Sequence, residues 1–214
     1  MHGLIRFGVG ALLCRLTVDG RENVPPTGGC VVASNHNIGP DYVVLGYGAS
    51  RQIFYMAKKE TFGIHPLLDR FLWAVGAFPV ERGKRDQGAI QEAVDLVQSG
   101  RVLGMFPEGT RSKDGVLQKG RSGAIRIAVE AGVPILPAAV TNSNELMQRL
   151  LFKLWRRPAV TVRFGPPIYP VQGENSPQTI RKLTHQTMVA IATLLPPEKR
   201  GPYAEDVDQW VAQD

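Results

Sequence analysis

The feature that most limits what this chain can become is an alternation of short apolar runs with longer segments of helical periodicity. Cys30-Val31-Val32-Ala33, Ile53-Phe54-Tyr55-Met56-Ala57, Ala77-Phe78-Pro79-Val80, Arg101 to Phe106 and Pro134 to Val140 have strand length. Leu16-Thr17-Val18 and Ala159 to Phe164 read the same way. Between these runs, Asp41 to Gly48 and Ser122 to Ala131 read as helices. His65-Pro66 opens another, with Leu67, Leu68, Phe71, Leu72 and Val75 on one face. Ile90, Ala93, Val94 and Val97 repeat at the spacing of an amphipathic helix. Ser176-Pro177 starts the last long one, with Ile180, Leu183, Thr187 and Ile191 inward. Such alternation predicts an α/β fold: a single domain with a mostly parallel central sheet flanked by helices on both faces. Two prolines in Pro134 to Val140 predict that this strand stops pairing early or lies near an edge.

Three segments are expected. Residues 1–17 form a short N-terminal helix, packed on the domain or dipping into a lipid interface; 18–197 form the α/β domain; 198–214 form a C-terminal tail. With 214 residues the domain can bury a full core without staples. No stretch reaches the roughly 18 uncharged apolar residues of a membrane span. The nearest, Gly3 to Val18, is interrupted by Arg6 and Arg15. The net charge of +6 calls for an anionic partner: phosphate, a membrane surface or nucleic acid. Aromatic residues make up only 7% and no nucleic-acid-binding pattern is present, which disfavours the last. Cys14 and Cys30 lack metal-ligand spacing, so no metal is expected and a reduced, intracellular protein is the default.

Polar chemistry collects where predicted strands end, which is where open α/β sheets build their sites. The first strand end delivers Asn35-His36-Asn37-Ile38-Gly39-Pro40-Asp41. Pro40 opens the following helix, so His36 falls in the turn and Asp41 in the first helical turn, close enough to touch. A carboxylate on one ring nitrogen fixes the tautomer and leaves the other nitrogen able to take a proton. No serine or cysteine stands beside the pair, so the hydroxyl it activates must come from a substrate. The plain alternative is a satisfied turn histidine. Two more strand ends deliver Arg82 and the stretch Glu108-Gly109-Thr110-Arg111. Guanidinium forks suit phosphate oxygens, and backbone N–H groups around Gly109 add donors. The alternative for Arg82 and Arg111 is surface pairing with acids such as Glu81 and Asp114. Gly104 to Gly109 lacks the Lys-Ser/Thr that completes a P-loop, and Gly120-Arg121-Ser122-Gly123 lacks nucleophile-elbow spacing.

Read as one helix, Asn144 to Arg157 places Arg149, Lys153, Arg156 and Arg157 within a roughly 100° arc. Apolar residues, Trp155 among them, occupy the rest. A basic stripe opposite a Trp-bearing apolar face suits anionic lipid, so Arg149, Lys153, Trp155, Arg156 and Arg157 are candidate membrane contacts. An ordinary helix lying on the sheet is the alternative.

Taken together, four stretches resemble the lysophosphatidic acid acyltransferase family of glycerolipid acyltransferases, over roughly residues 18 to 170. They are Asn35-His36 with Asp41; Gly76-Ala77-Phe78-Pro79-Val80-Glu81-Arg82-Gly83; Phe106-Pro107-Glu108-Gly109-Thr110-Arg111-Ser112; and Val133-Pro134-Ile135-Leu136-Pro137. One departure stands in the first block. Family members often carry Gln or Thr and then Ser after the histidine, where this chain has Asn37-Ile38 and then Gly39-Pro40.

The resemblance implies that His36 is the general base and Asp41 its orienting partner. It implies that Arg82 and Arg111, with Glu108, Gly109 and Thr110 shaping the loop, hold the acceptor phosphate. The expected acceptor is lysophosphatidic acid, giving phosphatidic acid in phospholipid biosynthesis. The donor is acyl-CoA or acyl carrier protein as cosubstrate, with no cofactor, at the cytoplasmic face of a membrane to which the protein attaches peripherally. Another lysophospholipid or a lyso-ornithine lipid is the alternative acceptor. A non-catalytic basic membrane-binding module is the alternative of a different class.

Overall fold

A computed structural model describes residues 14–80, 87–152, 157–171 and 173–211. Seven strands form one sheet: β1 (Arg15–Asp19), β2 (Cys30–Ser34), β3 (Ile53–Lys58), β4 (Ala77–Val80), β5 (Val102–Met105), β6 (Ile135–Thr141) and β7 (Ala159–Phe164), in the order β1-β7-β6-β2-β5-β3-β4. All neighbours run parallel except β6 and β7. Seven helices surround it among the described residues: α1 (Asp41–Gly48), α2 (Pro66–Ala74), α3 (Gln87–Gln98), α4 (Gly123–Ala131), α5 (Ser143–Phe152), α6 (Pro177–Thr193) and α7 (Ala204–Val211). The doubly covered, mostly parallel sheet is the architecture that the alternation of runs predicts.

β2 is buried along its whole length because it lies inside the sheet with a layer on each face. Val31 and Ala33 join the larger core cluster with Leu103, Ile125, Ile127, Ile135 and residues of α3 and α6. Cys30 and Val32 face the opposite cluster with Val44, Leu45, Leu136 and Val162. Strand periodicity of two therefore assigns each β2 side chain to one layer or the other.

Three expectations need correction. β6 is an interior strand, although it contains Pro137. Its early residues pair with β2, and its β7 register begins only at Ala138. Ile135 N–H and Pro137 C=O both bond on the β7 side, to Ile168 and Gly165, so the missing proline N–H falls on that side, before the β7 register begins, and leaves the pairing with β2 intact. Second, the helix expected over residues 1–17 does not include Arg15 to Thr17, which belong to β1; residues 1–13 lie outside the described residues. Third, residues 198–211 of the expected C-terminal tail are built into the domain. Two 3₁₀ turns and α7 occupy residues 197–211, with Tyr203 and Val207 in the core.

Helix α2 is set apart by its exposure. Its start is capped by His65, whose Nδ1 accepts from Leu67 N–H (3.1 Å), and Pro66 fills the first helical position. No residue of the helix is buried, and two members of its apolar face are exposed, Leu67 at 71% and Phe71 at 45%. The helix lies beside β4 at the sheet's edge, where little among the described residues covers it. Replacing Leu67 by Ala should change stability by no more than about 0.5 kcal/mol. Ile125→Ala, in the core, should cost about 2–5 kcal/mol. Urea unfolding of both variants checks the contrast.

Candidate active site

The carboxyl end of β2 is held in place by side chains that imitate a sheet ladder. Asn35 Oδ1 accepts from Val140 N–H (2.8 Å) while its Nδ2 donates to Val140 C=O (3.0 Å). Asn37 Nδ2 donates to the same carbonyl (2.9 Å). The turn is thus pinned to β6 by buried amides. On its other side it is pinned to the loop after β5. His36 N–H donates to Glu108 Oε1 (2.7 Å), and His36 C=O accepts from Ser112 N–H (2.7 Å). Glu108 Oε2 accepts from Gln118 N–H (2.9 Å), so one buried carboxylate ties two loops together.

Between these pins sits the expected pair. His36 Nδ1 lies 2.8 Å from Asp41 Oδ2. The Asp41 side chain is fully buried, whereas 16% of the His36 side chain remains exposed. Asn37 N–H donates to Asp41 Oδ2 (2.6 Å), and the Ser143 hydroxyl donates to Asp41 Oδ1. Asp41 also opens α1, where the helix dipole favours a negative charge. The imidazole stacks on Phe106 with centroids 4.0 Å apart and planes 14° from parallel. Phe106 is stacked in turn with Tyr55 at 6.3 Å and 9°. With Nδ1 committed to the carboxylate, Nε2 is the nitrogen left to receive a proton.

His36 lines a cleft of about 710 Å³, within the ~300–1,000 Å³ typical of small-molecule sites. Gly109, Thr110, Arg111 and Arg121 line it as well, and Met56, Leu72, Ile90, Met105 and Ile127 give it apolar walls. The arrangement combines a base, guanidinium groups and an apolar channel. Gly109 has φ 71°, and a Cβ there would come within 3.1 Å of the Arg121 side chain. A residue with no side chain lets Arg121 lie across the loop.

The structure brings His36, Asp41, Gly109, Thr110 and Arg111 to one place. Glu108 lies behind the turn, with both oxygens spent on backbone N–H groups, rather than among the groups lining the cleft. Asp114, a possible surface partner for Arg111, accepts instead from the Ser112 hydroxyl (2.8 Å) and Val116 N–H (3.0 Å). Arg82 lies outside the described residues, as do Lys153, Trp155 and Arg156. The expected basic stripe is corrected on two counts. Arg157 is not helical, so it is no part of α5, and it donates to Cys14 C=O (3.3 Å). Arg149 is on the helix but half-buried.

Two residues escaped sequence reasoning. Arg121 was set aside with a failed nucleophile motif, though its place in the loop between β5 and α4, at the same sheet end, was a usable signal. Ser143 carried no such signal, being 102 residues from the carboxylate it serves.

A family model described as Acyltransferase matches residues 15–141, which span β1 to β6 together with the His36–Asp41 pair and the Glu108–Arg111 loop. The chain belongs to the acyltransferase family. It is 36% identical over 138 residues to a 1-acyl-sn-glycerol-3-phosphate acyltransferase of Bacillus subtilis, an alignment covering 63% of this chain and 68% of that protein. A relative of the same description in Escherichia coli is 32% identical over 146 residues, covering 65% of this chain and 59% of that protein. The crystal structure of the 1-acyl-sn-glycerophosphate (LPA) acyltransferase PlsC from Thermotoga maritima matches with a TM-score of 0.66 at 25% identity, covering 90% of this chain and 78% of that one. This acyltransferase therefore shares that fold across most of its length.

Burial pushes the Glu108 carboxyl up to about 7, against the opposing pull of its two backbone N–H bonds. A carboxyl that binds its proton more tightly when folded supports stability fully below its unfolded value of about 4.5, and that support fades as pH rises through about 7. The stability difference between wild type and Glu108→Gln should therefore shift against wild type from pH 4.5 to 7 and be flat on either side. Denaturant unfolding at a series of pH values measures it.

Proposed function

We propose that this acyltransferase moves a fatty acyl group from an acyl thioester to the free hydroxyl of lysophosphatidic acid, with His36 as general base. The observation that carries the reading is the 2.8 Å His36–Asp41 contact opening into a cleft that also holds Arg111 and Arg121. The relatives' descriptions as 1-acyl-sn-glycerol-3-phosphate acyltransferases support it. None of the described residues lining the cleft is a serine or cysteine, in keeping with direct transfer. His36 Nε2 takes the proton of the acceptor hydroxyl as its oxygen bonds to the thioester carbonyl carbon. The tetrahedral adduct collapses, the carbon–sulfur bond breaks, and the imidazolium returns the proton to the departing thiolate. Arg111 and Arg121 hold the acceptor's phosphate, and the apolar walls take a hydrocarbon chain. Acyl-CoA and acyl carrier protein both satisfy this chemistry as donor.

Loss of a general base costs about 10²–10⁴ in rate. His36→Gln should lower kcat by that factor without lowering the thermal midpoint, while Arg111→Ala and Arg121→Ala should chiefly raise KM for the acceptor. Turnover with purified enzyme, both donors and a panel of lysolipids decides it. Equal rates on neutral and phosphate-bearing acceptors would refute the phosphate assignment.

Lipid contact belongs to α2 on this reading. Its outward side carries Leu67, Arg70, Phe71 and Trp73, with Trp73 57% exposed. The acid of the helix, Asp69, is half-buried and accepts from Gly63 N–H. Apolar and basic groups without an outward acid suit an anionic bilayer surface, and Leu72 of the same helix lines the cleft. No helix among the described residues is long and apolar enough to cross a membrane, which suits peripheral attachment. The double variant Leu67→Asp/Phe71→Asp should lose most pelleting with phosphatidylglycerol vesicles while keeping turnover on a short-chain, monomeric acceptor.

A further inference from the structure

The two oxygens of Asp41 do different work. Oδ2 faces His36 Nδ1 and Asn37 N–H, whereas Oδ1 receives the hydroxyl of Ser143, the first residue of α5. Ser143 is fully buried and lies beyond residue 141, where the family match ends.

Two local features build this contact. A Cβ on Gly39 would come within 2.5–2.6 Å of the Ser143 carbonyl carbon, carbonyl oxygen and Oγ, so only a residue without a side chain lets the turn lie flush against the start of α5. The preceding residue, Asn142, holds φ 63°, a conformation that few non-glycine residues adopt. Its side-chain Nδ2 donates to Ala159 C=O (3.1 Å), tying this bend to β7. A left-handed bend at Asn142 and close packing on Gly39 thus flank the residue that touches the carboxylate.

We infer that Ser143 is a positioning residue for acyl transfer: its hydroxyl fixes the rotation of the Asp41 carboxylate and shares its negative charge, so that the carboxylate holds the His36 ring with Nε2 free. The inference rests on the assignment of His36 as base. Ser143 acts through Asp41 and touches neither substrate.

The other ionisable groups around the pair are Glu108 from the loop after β5, Tyr42 on α1, Tyr55 on β3, and Arg111 and Arg121 from the loop that follows Glu108. Replacing Ser143 leaves all of them in place. Without the hydroxyl, negative charge concentrates on the oxygen facing the imidazole, and the charged imidazolium is held more firmly. The proton is then harder to lose at low pH, and the carboxylate is freer to turn.

The test is Ser143→Ala in the full chain, assayed with an acyl thioester and lysophosphatidic acid across pH. The expected result is a fall in kcat of about tenfold, as for one hydrogen bond to a charged group. KM for the acceptor should stay within about twofold, because no substrate contact is lost. The acid limb of kcat/KM should move to higher pH by about half a unit to one unit. A purely structural serine would lower the thermal midpoint and leave that limb where it is, which would overturn the inference, as would unchanged kcat. Ser143→Thr keeps the donor and should keep the wild-type limb. If the alanine variant does not fold, Ser143→Cys, with a weaker donor of similar size, should move the limb in the same direction. Carbon-13 NMR titration of the His36 imidazole in the substrate-free protein needs no turnover. A shift there with activity retained in His36→Gln would sink the base assignment and keep the coupling; titrations that superimpose would sink the coupling itself.

Discussion

A carboxylate taken wholly out of water has to be surrounded by donors or give up its charge. Asp41 is surrounded, by an imidazole nitrogen, a backbone N–H and a hydroxyl. Those donors come from the turn after β2 and from the start of α5, which leaves β6. They meet because β2 and β6 lie side by side in the register that sets Ser34 opposite Ala138. The two asparagine amides continue that register past the end of β2, on Val140. A one-residue slip between these strands would turn the inward side chains outward and separate the donors from the acid. The chemistry at the site is therefore a direct result of strand pairing in the middle of the sheet.

Much of this could be read from the letters. Apolar runs of strand length, helical spacing between them and a proline at the head of α1 placed His36 and Asp41 together, because each signal is local. What failed to show was set by distance or by an edge. The pairing side of Pro137 depends on where β7 begins its register, which no property of residues 134–140 reveals. The periodicity of α2 correctly gave a helix but not the fate of its apolar face, since burial depends on what the sheet edge leaves uncovered. Arg157 fits a helical wheel only if the helix continues, and α5 ends before it. Glu108 was legible as a residue that shapes the loop beside Arg111, but not the way in which it does so. Its two oxygens are consumed by backbone groups, a use that any buried acid between two loops can have.

The net positive charge takes on a local meaning once Arg111 and Arg121 are seen on the same cleft as the imidazole. Both are exposed, so each keeps its hydration until an anion arrives, and neither needs a buried counter-ion. Beneath them the walls become apolar within one cleft. A molecule with an ionic end and a hydrocarbon end matches such a gradient along its length.

The ring pile of His36, Phe106 and Tyr55 has one more consequence. An imidazole pressed against a phenyl ring on one face and held at Nδ1 by a carboxylate cannot turn over between taking a proton and giving it back. On the proposed mechanism, a single nitrogen must then serve both the incoming alcohol and the outgoing sulfur. Both have to lie within its reach in the same complex. The stacking geometry thus favours a ternary, sequential order of events over one in which the first product leaves before the second substrate enters.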